Sequence, residues 1–269
     1  IKTYCYCVEK FFRICRTEPY AITKKDIQNH LDRLIERNAP GSTINVYLNA
    51  LKFFYEQVLH RKLTIHIRYS KTRKRLPDCL TKEETIKIFD AIQNTTHRFM
   101  IRFLYSSGLR ISEFCHLRVR DLQPDSNYGW VRDGKGGKDR PFIVAQSIKR
   151  ELEQWINSNK LSVDSWLFPG YQEKPYSDSS IREILWTARK KASISKRVHP
   201  HLLRHSFATH FILNGYSPLE LQPLLGHSRL DTTMVYVHTA AQHLLKVQSP
   251  LDSLTTSSDT TSETAPQSL

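Results

Sequence analysis

Apolar residues recur every three or four positions through most of this chain, a spacing that places them on one face of an α-helix. In residues 1–66 the pattern predicts three helices in succession. Thr23 followed by Asp26 predicts the start of the second helix, because the two side chains reciprocally bond free amides at a helix N-terminus. The same pattern extends the third helix to Val58. We therefore expect the first quarter of the chain to fold as a small helical bundle.

The helical pattern resumes in residues 80–247, with one exception. Two short segments, 128–132 and 141–144, look like strands instead, and the glycine-rich run 133–139 joins them. Two short strand-like segments on either side of a glycine-rich turn predict a β-hairpin. The predicted fold class is therefore mainly α, with one small antiparallel β-hairpin in the second half.

Two further segments lack apolar periodicity and divide the chain. Residues 67–79 are a basic run, typical of a linker, for which a nuclear-localisation signal is the competing interpretation. Residues 248–269 are rich in Ser and Thr and are expected to be disordered. The predicted organisation is a helical domain at 1–66, a linker at 67–79, a second domain at 80–247 and a disordered tail.

The net charge of +14, from forty basic and twenty-six acidic residues, indicates a polyanionic partner, most commonly nucleic acid. The five cysteines are an odd number without Cys-x-x-Cys spacing, which predicts reduced thiols in a cytoplasmic protein. No stretch is long and apolar enough to suggest a membrane span, and no signal peptide is visible.

Residues suited to phosphate chemistry lie between apolar helical positions. His201 and Arg204 share one face of a predicted helix, and a guanidinium fork matches two phosphate oxygens. Arg110 follows a helix break at Gly108, and Glu113, one turn further on, is expected to hold it in place. Tyr236 lies two turns into a helix predicted to begin at a Ser228–Asp231 capping box. This combination predicts attack by a tyrosine on a DNA phosphodiester.

These residues resemble the tyrosine recombinase, or phage integrase, family, and most closely its compact bacterial chromosome-dimer resolvases and mobile-element integrases. The resemblance is carried by Gly-Leu-Arg-Ile-Ser-Glu at 108–113, Gly-Lys-Gly-Gly-Lys-Asp-Arg at 134–140, His-x-x-Arg-His at 201–205, Leu-Gly-His at 225–227 and Tyr236. It implies catalytic roles for Arg110, Lys135, His201, Arg204, His227 and Tyr236. The hairpin is one residue longer than expected, so Lys138 stays an alternative to Lys135.

The resemblance also implies a mechanism. Arg110 and Arg204 would bind the non-bridging oxygens with help from His227, His201 would accept or relay the tyrosine proton, and Lys135 would protonate the leaving 5′ oxygen. The products would be a 3′-phosphotyrosine and a free 5′ hydroxyl, formed without metal, ATP or another cofactor.

The implied partner is double-stranded DNA with inverted-repeat core sites, held in a clamp of two domains and in a tetramer of this chain. A second recombinase or an accessory DNA-bending protein is a further candidate partner. The residues expected to contact DNA are Lys71, Arg73, Lys74, Arg75, Lys138 and Arg140. The sequence does not distinguish integration from excision or dimer resolution.

Several alternatives compete with this interpretation. Residues 217–237 resemble a helix-turn-helix, which would make the protein a DNA-binding regulator without chemistry. A type IB topoisomerase would use the same chemistry only to relax supercoils. The histidines at 201–227 could bind zinc, but no Glu or Cys completes a ligand set, and the glycine-rich hairpin lacks the spacing of a nucleotide phosphate loop. His205 and His210 are expected to be structural.

Overall fold

The structure is a computed structural model that describes residues 2–61, 78–123, 126–134 and 136–241. The chain divides into two compact units, one within Ile1–Arg75 and the other within Leu76–Leu269. The predicted tail and most of the predicted linker lie outside the described residues.

The first unit is a bundle of three helices, as the apolar pattern predicted. Helices α1 (Lys2–Cys15) and α2 (Lys24–Glu36) both pack on α3 (Gly41–Phe53). Thr23 caps α2 through the predicted capping box with Asp26. The helical fold of this unit and the start of its second helix are therefore confirmed.

One turn of π-helix, Phe54–Val58, follows α3 and was not predicted. The amide of Leu59 donates to the carbonyl of Phe54, five residues back, at 3.0 Å. A π-turn holds more residues than an α-turn, so it rotates the side chains that follow it. Tyr55 is fully buried, whereas Val58 is 53% exposed. The prediction that Val58 lies in the core is therefore wrong.

A buried histidine lies in the core of the first unit. His30 on α2 contacts the rings of Phe11 and Tyr47, and neither of its nitrogens has a hydrogen-bond partner among the described residues. Burial, with a smaller effect of Arg33, lowers the pKa of His30. At a pH just below 6.5, the imidazole is therefore neutral in the folded unit, whereas in the unfolded chain it would be protonated.

This histidine should make the first unit sensitive to acid. Because its pKa is lowered on folding, stability is complete above the unfolded value of about 6.5 and falls below it, by up to about 1.4 kcal/mol per pH unit. Urea unfolding of the full chain, followed by methyl NMR signals of Ile27, measures the effect. His30→Leu should remove the pH dependence, and His60→Leu, at an exposed position, should not. An equal slope in both variants would contradict the prediction.

The second unit consists of helices around an aromatic core. The helices are α4 (Lys82–Asp90), α5 (Thr95–Ser107), α6 (Ile111–Cys115), α7 (Gln146–Ser158), α8 (Asp178–Lys191), α9 (Pro200–Leu213), α10 (Pro218–Leu225) and α11 (Leu230–Ala241). Phe103, Phe114 and Phe168 are buried at the centre, and the last two stack at 4.7 Å between ring centroids. Within the ranges that the structure describes, no helix has both the length and the apolar character needed to cross a membrane.

The predicted hairpin is present in this unit. Strands β1 (Tyr128–Val131) and β2 (Arg140–Ile143) are antiparallel, and Val131 pairs with Arg140 at the end where the loop begins. The prediction of a mainly helical chain with one small antiparallel hairpin is therefore confirmed.

Helix α9 is central to the second unit. It packs against α5, α8, α10 and α11, and most of its side chains are buried. Ser217 caps the next helix, α10, and Gly226 ends it. Helix α11 begins at Leu230 rather than at Ser228, and Asp231 pairs with Arg229 instead of forming the predicted capping box.

Candidate active site

The position of Arg110 follows from a helix break. Helix α5 ends at Gly108, whose backbone is left-handed, and Arg110 is the residue that precedes α6. The carboxylate of Glu113, in the first turn of α6, accepts from the backbone amide of Arg110 at 2.8 Å and from its Nη1 at 2.7 Å. The ion pair expected between these two residues is therefore present.

The same carboxylate contacts two more arginines. Oε2 of Glu113 lies 2.5 Å from Nη2 of Arg140 and 3.9 Å from Nη1 of Arg204. All three side chains are less than a tenth exposed. Burial by itself raises the pKa of Glu113, but Arg140 and Arg110 outweigh it and hold that pKa below its usual value. One buried carboxylate therefore gathers three guanidinium groups.

The C-terminal end of α10 holds these guanidinium groups from the other side. Nη2 of Arg110 donates to the carbonyl of Leu225 at 3.2 Å, and Nη2 of Arg204 donates to the same oxygen. Arg140 donates to the carbonyl of Leu224. The last carbonyls of a helix carry partial negative charge, so they stabilise cations placed there. Burial lowers the pKa of Arg204 to about 10, and it stays charged at neutral pH.

Arg140 does not occupy the position that the sequence predicted. It was expected to contact DNA, but its side chain is 7% exposed and is bonded to Glu113 and to α10. A guanidinium buried in this way positions its neighbours and has little surface to offer a DNA backbone. That prediction is therefore corrected.

Tyr236 on α11 lies against α9 and α10. It is 3% exposed and packs with Phe207, Leu221 and Leu225. Its hydroxyl oxygen lies 3.0 Å from Nδ1 of His205. The tyrosine is therefore within hydrogen-bond distance of a histidine that sequence reasoning had treated as structural.

Two other histidines surround this pair. The ring of His201 lies 4.2 Å from that of His205, between centroids, and His201 is exposed. The ring of His227 is nearly parallel to that of Tyr236 at 6.2 Å, and its Nδ1 lies 3.0 Å from the hydroxyl oxygen of Thr233. His201 was expected to handle the tyrosine proton, but His205 lies between it and the phenol. The spacing of four residues places His201 and His205 on one face of α9, but it does not show which of them Tyr236 approaches.

Burial keeps these groups uncharged. It raises the pKa of Tyr236, although Arg204 and Arg110 lower it in part. It also lowers the pKa of His205 to about 4, with His201 as the next cause, and that of His227 to about 4, with Arg204 as the next cause. At neutral pH the site therefore holds a protonated phenol beside neutral imidazoles.

A cleft of about 730 Å³ opens beside Arg110. Its walls include Arg118, which stacks on Trp166 at 3.9 Å, and Arg132. Gly134, at the start of the glycine-rich loop, also lines it. Four arginines and three carboxylates line the cleft, and this small excess of positive charge favours an anionic ligand.

Several predicted residues lie outside the described residues, namely Lys135, Lys71, Arg73, Lys74 and Arg75. Lys138 is exposed on the loop between β1 and β2. Within the described residues, no three His, Cys, Asp or Glu side chains are arranged to hold a metal ion.

Gly226, which ends α10, lies against these arginines. Its backbone is left-handed, and a Cβ added to it would lie 2.5 Å from Cδ of Arg140. Gly226→Ala should therefore destabilise the second unit by about 2–4 kcal/mol, from backbone strain and the clash together. Tryptophan fluorescence during urea unfolding measures this, because all four tryptophans lie in that unit.

Gly215 provides the matched control. Its backbone is also left-handed, but a Cβ there would meet nothing within 4 Å. Gly215→Ala should cost only the backbone strain, about 1–2 kcal/mol. Equal losses in the two variants would show that the contact with Arg140 is unimportant.

A helical unit that gathers guanidinium and imidazole groups beside one tyrosine hydroxyl defines a class of enzyme, one that cuts and rejoins phosphodiesters through a phosphotyrosine. The similarity of the chain to known proteins agrees with this class. The chain belongs to the phage integrase family, which matches residues 78–243, and the N-terminal SAM-like domain of phage integrases matches residues 1–65.

Two relatives show how far the similarity extends. The chain is 33% identical over 249 residues to the tyrosine recombinase XerA of Pyrococcus furiosus. The aligned region covers 91% of this chain and 85% of the relative. It is 31% identical over 246 residues to the XerA of Pyrococcus horikoshii, with 91% and 84% covered.

Solved structures share the fold. A crystal structure of XerA recombinase is 28% identical, with a TM-score of 0.57 over 91% of this chain and 90% of that one. A XerH site-specific recombinase bound to a palindromic difH substrate reaches a TM-score of 0.74 at 20% identity, over 93% of this chain and 79% of that one.

Proposed function

We propose that this protein recombines DNA at specific sites, and that it cuts and rejoins each strand through a 3′-phosphotyrosyl bond on Tyr236. One observation carries the assignment of residues. Arg110 and Arg204, far apart in the sequence, both donate to the carbonyl oxygen of Leu225, which packs in the same cluster as Tyr236. The family to which the chain belongs supports the reaction.

The carbonyl of Leu225 marks where a phosphate oxygen would bind. Two guanidinium groups that share one neutral acceptor retain donors for a stronger, charged one. A phosphodiester entering from the cleft beside Arg110 would place its non-bridging oxygens on these donors. Charge that develops on those oxygens during attack would then be stabilised by groups already in position.

The other predicted residues complete the reaction. His227 would add a hydrogen bond to a non-bridging oxygen, and the ring of His227 already lies parallel to that of Tyr236. Lys135 would protonate the leaving 5′ oxygen. Gly134, which precedes Lys135 in the sequence, lines the cleft beside Arg110, which supports this role. Lys138 stays the alternative.

Tyr236 must become accessible before it can attack. Its hydroxyl is enclosed in the free protein, since the residue is 3% exposed. Binding of DNA would therefore have to open the site by displacing the acceptor at Leu225, at the end of α10. A phosphate that accepts hydrogen bonds from Arg110 and Arg204 in place of the Leu225 carbonyl would release the end of α10. That end of α10 is next to α11 in the chain.

The wider DNA interface would extend beyond the cleft. Helix α8 carries Trp186, which is 51% exposed, with the ammonium of Lys190 3.5 Å from its ring centroid. A groove of about 470 Å³ beside Trp186 is also lined by Arg182 and Arg197. This basic surface, the predicted linker charges and the net charge of +14 support contact with the DNA backbone.

The assembly would follow from the chemistry of strand exchange. Two duplexes with two core half-sites each require four copies of the chain, so we propose a tetramer in which the helical domain at 1–66 and the catalytic domain at 80–247 enclose the duplex. Its five cysteines are free thiols, which supports action in the reducing cytoplasm. Integration of a mobile element is one biological role that would fit.

A plasmid assay tests the proposal. The target would first be selected from a pool of nicked duplexes with a randomised central segment, by recovering those trapped as covalent adducts. Two copies of the selected site would then be placed in one supercoiled plasmid. Site-specific recombination predicts deletion or inversion between the copies. Relaxation of the plasmid without exchange would instead indicate topoisomerase activity, and binding without any adduct would indicate a DNA-binding regulator.

A further inference from the structure

The environment of His205 assigns it a task in the reaction. We propose that His205 takes the proton from the Tyr236 hydroxyl during strand cleavage, returns it during rejoining, and exchanges it with solvent through His201. This inference rests on the proposed function and deepens it, because it names the group that activates the nucleophile.

The contacts of the phenol support this assignment. The Tyr236 oxygen lies 3.0 Å from Nδ1 of His205, within hydrogen-bond distance, and its ring packs with Phe207, Leu221 and Leu225. His227 stacks on the phenol ring, and its Nδ1 is 3.0 Å from the Thr233 hydroxyl oxygen. Of these histidines, His205 alone is positioned to receive the proton directly. It can do so in the tautomer that carries its hydrogen on Nε2.

A route to solvent continues from His205. The ring of His201 lies edge-on at 4.2 Å from the ring of His205, and His201 is exposed. The ring of His199 follows at 6.5 Å from that of His201. Helix α9 therefore presents imidazoles in sequence from the buried phenol to the surface. A proton taken from Tyr236 need not stay beside the arginines.

The charges around His205 explain why it is neutral before DNA binds. The groups that face it are His201, Arg204 and His199 from its own helix and its N-cap, and His227 and Tyr236 from the segments packed against α9. Burial and these neighbours lower the pKa of His205 to about 4. A bound phosphodiester brings a negative charge that offsets Arg204 and Arg110. The imidazole would therefore become a stronger base when substrate is present.

Strand cleavage forms one bond to phosphorus and breaks another. The Tyr236 oxygen forms a bond to phosphorus, and its proton moves to Nδ1 of His205. The bond between phosphorus and the 5′ oxygen breaks, and that oxygen leaves with the electron pair and takes a proton from Lys135. Rejoining reverses each transfer, so that the imidazolium of His205 protonates the departing phenol oxygen.

His205→Gln tests the assignment. Glutamine can keep the hydrogen bond and most of the packing, but it cannot accept a proton. The rate of adduct formation on the selected nicked duplex, measured under single-turnover conditions, should fall about 10²–10⁴-fold at neutral pH. The loss should shrink as pH rises, because the phenol then ionises without help. A uniform loss at every pH would overturn the proposal in favour of a packing role.

A more acidic phenol provides a second readout. Incorporation of fluorinated tyrosine at position 236 should restore the rate of His205→Gln by about 10-fold or more, and should change the rate of the unsubstituted protein much less. This rescue depends on proton transfer and not on folding. Absence of rescue in a variant that still binds the duplex would overturn the proposal.

His210 supplies the matched control. It lies on the same helix, and its Nδ1 is 2.7 Å from the hydroxyl of Tyr105, so it forms a second His–Tyr pair that does not include Tyr236. His210→Gln should affect stability without changing the pH profile. If the unsubstituted protein forms no adduct, the proposed function itself fails. If it forms one and His205→Gln reacts equally fast, only this inference fails.

Discussion

Replacing Tyr236 with phenylalanine is expected to abolish the covalent protein–DNA adduct, with a fall in rate on the order of 10⁵-fold or more. Tyr236→Phe removes the only atom that the proposal has attacking phosphorus. The Thr233 hydroxyl, which lies 3.0 Å from Nδ1 of His227, is an aliphatic alcohol and a much weaker acid than a phenol. Denaturing gel electrophoresis of the protein on the nicked duplex measures the adduct directly.

The variant should remain folded. Phenylalanine keeps the ring contacts with Leu221 and Leu225, and the lost hydrogen bond to His205 costs about 1 kcal/mol. Binding to the duplex should therefore be nearly unchanged. Tyr216→Phe is the control, since Tyr216 is 52% exposed and its ring stacks on Phe211, a contact that phenylalanine retains. Adduct formation by Tyr236→Phe would show that another residue is the nucleophile.

Local signals in the sequence predicted much of the fold. The capping pair at Thr23 correctly marked a helix start, because the bonds that form it join residues only three positions apart. Gly108 correctly marked a helix end for an equally local reason. The predicted ion pair of Arg110 with Glu113 also spans a single helical turn.

The contacts that sequence reasoning missed are long-range. Arg140 follows a glycine-rich loop and is flanked by a charged residue, which is typical of an exposed position. It is buried because Glu113 and the end of α10 reach it from distant parts of the chain. His205 was missed because its partner, Tyr236, lies on another helix. Residue spacing alone contains no information about such partners.

Loss of the carboxylate at Glu113 is expected to reduce both stability and the rate of adduct formation. Glu113→Gln would leave the positive charges of Arg110, Arg140 and Arg204 close together without their shared counter-ion. Breaking a buried ion pair in this way costs about 3–5 kcal/mol. The rate of adduct formation should fall by about 10²-fold at least, because Arg110 and Arg204 would separate. The pKa of Glu113 is lowered on folding, so this stabilisation is present above the unfolded value of about 4.3 and is lost as pH falls below it.

Glu151 provides the control variant for Glu113→Gln. Its ion pair with Arg102 has a 2.6 Å contact, as short as those of Glu113, but the two side chains are 39% and 33% exposed. Glu151→Gln should cost less than about 1 kcal/mol and leave adduct formation unchanged, because water screens an exposed pair. Urea unfolding followed by tryptophan fluorescence compares the two variants. Similar losses would mean that Glu113 acts as an ordinary surface ion pair, and the arginines would then owe their positions mainly to the carbonyl oxygens at the end of α10.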